Sequence, residues 1–253
     1  MSNPAMLLAE IAKRCPLGQL PNDYLVLDLE TSGFKRKSDT PDVIVQVGYA
    51  VVCHREITHN TAHYLRRPMG TMYGEAMRVN GITDEMLQKL GEPPVETYQR
   101  LLPLLKLYHE SKAMFIGHNL LSFDIPFLSF EFKKYNVDFT FSPDEVIDTG
   151  CIIKAMKMDL LPGPSEGLGK FLRRIRNARN SHKWSLTHAV DIFELERLYG
   201  LDMTRAHDAG FDCRLTHLVL ESLRSPHVAA ALERFYIAKA KEDEQRKASR
   251  LSV

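Results

Sequence analysis

Two acidic residues, Asp28 and Glu30, stand at the end of a compact apolar segment. Residues 24–29 read Tyr-Leu-Val-Leu-Asp-Leu, which is typical of a β-strand. Because side chains alternate along a strand, both carboxylates project from the same face and repel each other. A divalent cation relieves that repulsion, and oxygen ligands suit Mg²⁺ or Mn²⁺. The alternative is a strand end that simply enters solvent.

A third acid, Asp124, follows a second apolar segment. Residues 113–116 predict a short buried strand that leads into Gly117-His118-Asn119, and Asp124 then lies near the start of a helix predicted over 121–135. The helix dipole also favours an acid in the first turn, which is the structural alternative to a chemical role. Apolar residues surround this acid, however, so we expect a partner to hold its carboxylate.

A histidine and a fourth acid, His207 and Asp212, lie about one and a half turns apart at the start of a helix predicted over 208–223. Ala209 and Gly210 between them are small enough for another backbone to approach closely. Asp208 fits an N-cap or a first-turn acid and is left out of the predicted site. Several other histidines are interpreted as surface or core residues, namely His54, His59, His63, His182, His188 and His217.

Taken in this order, the three motifs resemble the DnaQ-like, or DEDDh, family of 3′→5′ exonucleases. The matching residues are Asp28-Leu29-Glu30-Thr31, His118-Asn119 with Phe123-Asp124, and His207-x-Ala209-x-x-Asp212. Asn80-Gly81-Ile82-Thr83 and Ile147-Asp148-Thr149 also resemble segments of the family. The resemblance covers about residues 22–223. Each motif is weak alone, but three in the right order are strong evidence.

The resemblance implies an α/β, RNase H-like fold, with a mixed five-stranded sheet, helices on both faces and the acids at one end of the sheet. It also implies that His207 is the general base, that Asp28 bridges two Mg²⁺ or Mn²⁺ ions, and that the ions are held by Asp28, Glu30, Asp124 and Asp212. Two-ion hydrolysis suits phosphodiester cleavage. A neutral imidazole, with an ordinary pKa of about 6.5, accepts a proton near pH 7.

The resemblance extends to four candidate substrate-binding residues. Thr31 is expected near the terminal 3′ hydroxyl, and the alternative is a hydrogen bond at the strand end. Asn119 is expected to contact the substrate or to brace its own loop. Ile82 and Phe123 are expected to pack against terminal bases, and ordinary core packing is the alternative for both.

A basic segment spans residues 162–184 and contains a single acid, Glu166. Arg173, Arg174 and Arg176, together with Trp184, suggest contact with a phosphate backbone and stacking on a base. The alternative is a solvated insertion.

The remaining pattern predicts further strands and helices around these motifs. Strands are predicted over 43–52, 57–65 and 146–147, and helices over 4–14, 74–90 in two pieces, 94–109, 149–158, 167–178, 187–199 and 226–247. We therefore expect an N-terminal helical extension (1–20), an exonuclease domain (21–224) with the basic segment as an insertion, and a charged C-terminal helix (225–253).

The bulk composition narrows the classes of function. The 253 residues carry a formal net charge of +1, so any polyanion site must be a local patch or be neutralised by metal ions. The four cysteines lack zinc-site spacing and are expected to be reduced thiols of a cytoplasmic protein. We see no signal peptide and no apolar run of about 20 residues, so no membrane association is expected.

Together these observations predict a metal-dependent exonuclease that releases nucleoside monophosphates from a single-stranded 3′ end, with DNA favoured. One alternative is the same chemistry on RNA, because only the 2′ hydroxyl separates the two substrates. Another is a catalytically silent nucleic-acid-binding module, and a further one is an unrelated α/β protein whose acids bind a structural ion. A polymerase and a second copy of this chain are the candidate protein partners.

Overall fold

The computed structural model describes residues 20–35, 41–158, 160–163, 165–179 and 184–224. Within these residues five strands form one sheet in the order β3-β2-β1-β4-β5. Strand β2 is antiparallel to both β1 and β3, whereas β4 and β5 run parallel to β1. The strands are β1 (Tyr24–Thr31), β2 (Ile44–Cys53), β3 (Glu56–Tyr64), β4 (Met114–Gly117) and β5 (Val146–Asp148).

Nine α-helices lie within the described residues, between and after the strands. They are α1 (Gly74–Asn80), α2 (Asp84–Leu90), α3 (Pro94–Glu110), α4 (Asp124–Lys134), α5 (Thr149–Lys157), α6 (Leu168–Asn177), α7 (Leu186–Ile192), α8 (Leu195–Tyr199) and α9 (Ala209–Arg224). In this part of the chain, no helix has both the length and the apolar character that a bilayer-spanning segment requires.

The central strand is buried on both faces. Tyr24, Leu25, Val26 and Leu27 alternate between the faces and are all 0% exposed. The Tyr24 hydroxyl lies 2.8 Å from Nδ1 of His217 on α9, which assigns one face of β1 to that helix. The predicted mixed five-stranded sheet with helices on both faces is therefore confirmed.

The parallel arrangement of β1, β4 and β5 explains why distant segments meet. The carboxyl ends of parallel strands lie at one edge of a sheet, where open α/β folds bind ligands. Glu30 near the end of β1, His118 just after β4 and Asp148 at the end of β5 all belong to this edge.

A buried ion pair fixes α4, the helix that begins with Asp124. Glu131 is 0% exposed and accepts hydrogen bonds from Arg67 (2.7 Å) and from the Tyr98 hydroxyl (2.8 Å). The backbone N–H of Ile44 on β2 also donates to Glu131. A fully partnered buried carboxylate of this kind holds the helix in one position on the sheet.

Two helix predictions differ from the structure. The helix predicted over 187–199 is two helices, α7 and α8, because the chain turns through Glu194 in a left-handed conformation (φ 53°). The helix predicted over 121–135 begins only at Asp124, after a turn in which the Phe123 N–H donates to the Asn119 carbonyl. The helices predicted over 4–14 and 226–247 lie outside the described residues.

The basic segment contributes to the hydrophobic core. Phe171, Leu172 and Ile175 of α6 are buried there, while Arg173 and Arg174 are exposed. Arg174 pairs with Glu166 (2.7 Å). The helix is therefore amphipathic, with its apolar side against the core.

Candidate active site

Asp28 and Glu30 open onto one cleft at the carboxyl edge of the sheet. They lie two residues apart on β1 and share a face, as the alternation of the strand requires. The cleft has a volume of about 500 Å³, and its lining also includes Asp124, His207 and Asp212. The five residues predicted to carry chemistry thus lie around the same space.

The turn before α9 presents His207 next to Asp212. His207 has a left-handed backbone (φ 69°), and its backbone N–H lies 3.3–3.4 Å from both Asp212 carboxylate oxygens. Asp208 accepts from the N–H of Phe211 and from the amide of Gln46, so it caps the helix as the alternative interpretation expected. Asp208 is outside the cleft lining.

The first turn of α9 packs tightly against Gly48 of β2, the residue paired with Asp28 in the sheet. A Cβ added at Gly48 would lie 2.4 Å from the backbone carbonyl of Ala209. This contact confirms the expectation that small residues permit a close approach here. It also sets the distance between Asp28 and the helix that carries Asp212.

Gly48→Ala is therefore expected to displace the start of α9. The clash is with backbone, so the helix must move, and overpacking of this kind costs about 1–3 kcal/mol. We expect urea denaturation to show a matching decrease in the free energy of unfolding. We also expect a proportionally larger loss of nuclease activity, because Asp212 shifts away from Asp28. Gly163→Ala is the control, since its nearest atom would lie 3.5 Å away. Full activity in Gly48→Ala would contradict this account of the contact.

Asp148 positions the loop that leads to Asp124. This carboxylate is 0% exposed and accepts from the backbone N–H groups of Asn119, Leu121 and Cys151 at 3.0–3.1 Å. Asn119 itself has a left-handed backbone (φ 66°). Asp148 therefore caps α5 and at the same time fixes the turn between β4 and α4.

The three side chains Glu30, His207 and Asp212 come closest together. One ligand atom of each lies within 4.8 Å of the other two, a spacing compatible with a shared metal ion. Asp28 and Asp124 border the same cleft, and both carboxylates interact electrostatically with this cluster.

Burial and mutual repulsion make ionisation of these acids costly. Burial, and then the neighbouring Asp212 carboxylate, raises the pKa of Glu30 to about 9. Burial raises the pKa of Asp212 to about 7, and the pKa values of Asp28 and Asp124 are also raised, chiefly by burial. Burial lowers the pKa of His207, which favours the neutral imidazole.

The donor set fits divalent ions. Within the described ranges, none of the four acids forms an ion pair with a lysine or arginine. Four crowded carboxylates without a counter-charge need protons or cations, and all-oxygen sites suit hard ions such as Mg²⁺ or Mn²⁺.

The candidate substrate-binding residues divide into two groups. Asn119 and Phe123 line the cleft, and the ring of Phe123 lies 5.7 Å from that of Phe34, which is 75% exposed. Thr31 and Ile82 do not line it. Thr31 is buried and donates to the Gly33 carbonyl, and Ile82 packs in a small core cluster with Val45, Met72 and Leu87. Substrate contact by these four residues stays a prediction.

Comparison with known proteins supplies the family. The family model RNase_T, described as an exonuclease, matches residues 25–220. The chain belongs to this exonuclease family. The finding confirms the predicted DnaQ-like 3′→5′ exonuclease assignment and the RNase H-like superfamily. Enzymes of this family depend on divalent metal ions.

Individual relatives agree with the family assignment. The exonuclease is 28% identical over 204 residues to DNA polymerase III subunit epsilon of Pasteurella multocida, a match that covers 78% of this chain and 74% of the relative. It is also 28% identical over 193 residues to the epsilon subunit of Buchnera aphidicola, covering 74% of this chain and 75% of the relative.

Solved structures share the fold at lower identity. The zinc-bound complex of E. coli exonuclease I with single-stranded DNA superposes with a TM-score of 0.57 at 17% identity, covering 86% of this exonuclease and 43% of that chain. The complex of E. coli exonuclease I with a dT13 oligonucleotide gives a TM-score of 0.58 at 16% identity, covering 82% of this exonuclease and 42% of that chain. This chain thus spans less than half the length of those structures.

We expect Glu30→Gln to stabilise the metal-free exonuclease. With a pKa raised from 4.5 to about 9, Glu30 in the folded protein keeps a proton that the unfolded chain loses. The wild-type fold therefore loses stability as pH rises through this window, whereas the amide does not titrate. In EDTA at pH 8, urea denaturation should give the variant a free energy of unfolding at least about 1 kcal/mol higher than that of the wild type, since one pKa unit corresponds to about 1.4 kcal/mol.

The difference in free energy of unfolding between Glu30→Gln and the wild type should increase from pH 5 to pH 9. Taking this difference cancels the titration of histidines common to both proteins. Glu56→Gln, which removes an exposed carboxylate outside the cleft, is the control. A wild type more stable than Glu30→Gln in EDTA, or a gap independent of pH, would show that Glu30 is not destabilised by its neighbours.

Sequence reasoning missed part of the cleft lining. Lys154 and Ser122 carry no functional signal in the sequence, and His118 stands out there only as part of a motif. Yet His118 is 7% exposed, and its ring contacts the Thr149 hydroxyl and the Trp184 carbonyl. The available signal was the placement of His118 directly after a buried parallel strand, where functional residues gather.

Proposed function

We propose that this exonuclease removes nucleoside 5′-monophosphates one at a time from the 3′ end of single-stranded DNA. The observation that carries the proposal is the group of four buried or half-buried acids, none of them in an ion pair with a described lysine or arginine, beside His207 in one open cleft. The names of the relatives support DNA, because they refer to DNA polymerase III and to complexes with single-stranded DNA.

Asp28, Glu30, Asp124 and Asp212 are the residues that would hold two divalent ions. When bound, such ions supply Lewis acidity that activates a water and offsets the charge on the phosphate and on the departing oxygen. The four carboxylates carry a formal −4 when ionised. Divalent ions balance that charge, which allows a polyanion to approach a protein of net charge +1.

His207 is proposed to accept the proton of the attacking water. Its ring lies within 4.8 Å of carboxylate oxygens of Glu30 and Asp212, and its lowered pKa favours the neutral, proton-accepting form. The water oxygen attacks phosphorus, the bond from phosphorus to the 3′ oxygen breaks, and a solvent proton completes the new 3′ hydroxyl. Asn119 and Phe123 are proposed to contact the terminal nucleotide from the cleft wall.

The direct test is digestion of strands labelled at one end. A 5′-labelled single strand should give a ladder that shortens stepwise with Mg²⁺ or Mn²⁺, release mononucleotides, and remain intact in EDTA. Duplex DNA and RNA of the same sequence are digested in parallel for comparison. Faster digestion of RNA would assign the chain to RNA trimming instead. Digestion from the 5′ end, or none with any metal, would contradict the proposal.

A polymerase is the proposed protein partner. The names of the relatives support this partner, since they are subunits of DNA polymerase III. Self-association of this chain stays a prediction. Analytical ultracentrifugation of the full chain, alone and with a purified polymerase III catalytic subunit, distinguishes self-association from polymerase binding. Sedimentation of the chain as a monomer in both samples would contradict both forms of association.

A further inference from the structure

One part of the cleft lining carries positive charge that the chemistry at the acids does not use. Lys154 of α5 and Arg176 of α6 both border the cleft. Among the described residues neither forms an ion pair with a carboxylate. Neither is among the main causes of the raised pKa values of the four acids, which are burial and the neighbouring carboxylates.

Lys154 is an unusual residue to bury. It is only 3% exposed, its ammonium donates to the Arg176 carbonyl at 3.0 Å, and the same group lies 4.5 Å from the ring centroid of Trp184. Burial lowers the pKa of Lys154. A buried ammonium that faces a cleft with a carbonyl and an aromatic ring, but no described carboxylate, is suited to an anionic ligand.

The surrounding side chains hold this group in place. Nε2 of His118 donates to the Trp184 carbonyl, because a carbonyl oxygen can only accept. Arg176 in turn lies 3.3 Å from the Leu121 carbonyl, in the loop that leads to Asp124. The cations are therefore attached to the loop that carries part of the acidic site, which keeps the two parts of the cleft in a fixed relation.

We propose that Lys154 and Arg176 form a phosphate-binding subsite for the DNA strand upstream of the nucleotide being removed, with Trp184 holding Lys154 in place. This inference rests on the proposed function, since it assumes a nucleic-acid strand in the cleft. The scissile phosphate lies at the acids and their ions, so a separate pair of cations serves a different phosphate of the same strand. Lys154 and Arg176 thus bind the substrate away from the reacting atoms, and they favour strands longer than a dinucleotide.

Two substrates separate the subsite from the catalytic site. A 5′-fluorescein-labelled oligo-dT extends beyond the scissile phosphate, whereas thymidine 5′-(4-nitrophenyl phosphate) has no second phosphate. Lys154→Met, which keeps the aliphatic stem, and Arg176→Gln should each lower kcat/KM on the oligonucleotide at least about tenfold, mainly through KM, as expected for a lost hydrogen bond to a charged group. The loss on the small diester should be at least fivefold smaller.

Salt dependence gives a second readout. Each lost phosphate contact to a single strand should reduce the slope of log affinity against log salt by about 0.7. Lys170→Gln removes an exposed charge from the same helix outside the cleft and should keep the wild-type slope. Lys154→Arg, which keeps the charge, should recover part of the affinity. Melting temperatures of all variants establish that they are folded.

Strand binding in EDTA, followed by fluorescence anisotropy, measures the subsite without cleavage. Equal losses on both substrates, or strand binding by Lys154→Met and Arg176→Gln equal to that of the wild type, would overturn the subsite. A wild type that binds the strand through these residues but cleaves neither substrate with Mn²⁺ would support the subsite and overturn the proposed function instead.

Discussion

Asp212→Asn should reduce kcat on single-stranded DNA on the order of 10³-fold or more while the protein remains folded. The substitution keeps the size of the side chain but removes one charged ligand from a cluster in which ligand atoms of Glu30, His207 and Asp212 lie within 4.8 Å. A divalent ion contributes several kcal/mol to stabilising the developing charge, and each 1.4 kcal/mol is tenfold in rate. Steady-state hydrolysis with Mn²⁺, together with circular dichroism, measures both effects.

Asp208→Asn is a matched control for this loss. Asp208 lies four residues earlier in the same region of the chain, and its side chain accepts from Gln46 and from the N–H of Phe211. An asparagine can keep the capping bond, so activity should stay within a few-fold of the wild type. A similar loss of activity in both variants would mean that the negative charge of this region matters in general, and would contradict a specific role of Asp212 as a metal ligand.

His207→Gln should lower kcat by about 10²–10⁴-fold, the usual contribution of a positioned general base. The half-buried imidazole has a lowered pKa and therefore accepts a proton near neutral pH. Glutamine can still donate and accept hydrogen bonds, but it cannot take up the proton of the attacking water. Substrate KM should change much less than kcat, because the imidazole acts on the water and not on the strand.

The same variant separates two roles for His207, since its ring is also close enough to Glu30 and Asp212 to be a metal ligand. Calorimetric titration with Mn²⁺ should show nearly wild-type affinity in His207→Gln if the residue is a base. A large loss of Mn²⁺ affinity would make it a ligand instead. His59→Gln, at an exposed position on β3 outside the cleft lining, is the control for histidine replacement.

The elements that carry the acids were predictable because each has a local signal. Alternation along β1 predicts that Asp28 and Glu30 share a face, and the small residues after His207 predict the close approach of another backbone, which the structure shows to be that of Gly48. The order of the motifs then predicts the family. None of these signals requires knowledge of long-range contacts, so they can be seen in a single sequence.

The rest of the cleft depends on contacts between distant segments. Lys154 looks like an ordinary helical lysine in the sequence, and only the packing of α5 against α6 buries it beside Arg176 and Trp184. The break at Glu194 was missed for a related reason. A left-handed residue other than glycine, asparagine or aspartate has no local signature, and tertiary packing stabilises it. Placing Ile82 required knowing that Val45 and Leu87 form a separate small core with it.

The central claim is that Asp28, Glu30, Asp124 and Asp212 surround a pair of divalent ions. Anomalous diffraction from crystals of the full chain grown with Mn²⁺ and deoxythymidine 5′-monophosphate measures this directly. We predict two peaks roughly 3.5–4 Å apart, in contact with these four carboxylates. Manganese peaks elsewhere, or none within reach of Asp28 and Asp212 at saturating Mn²⁺, would contradict the account.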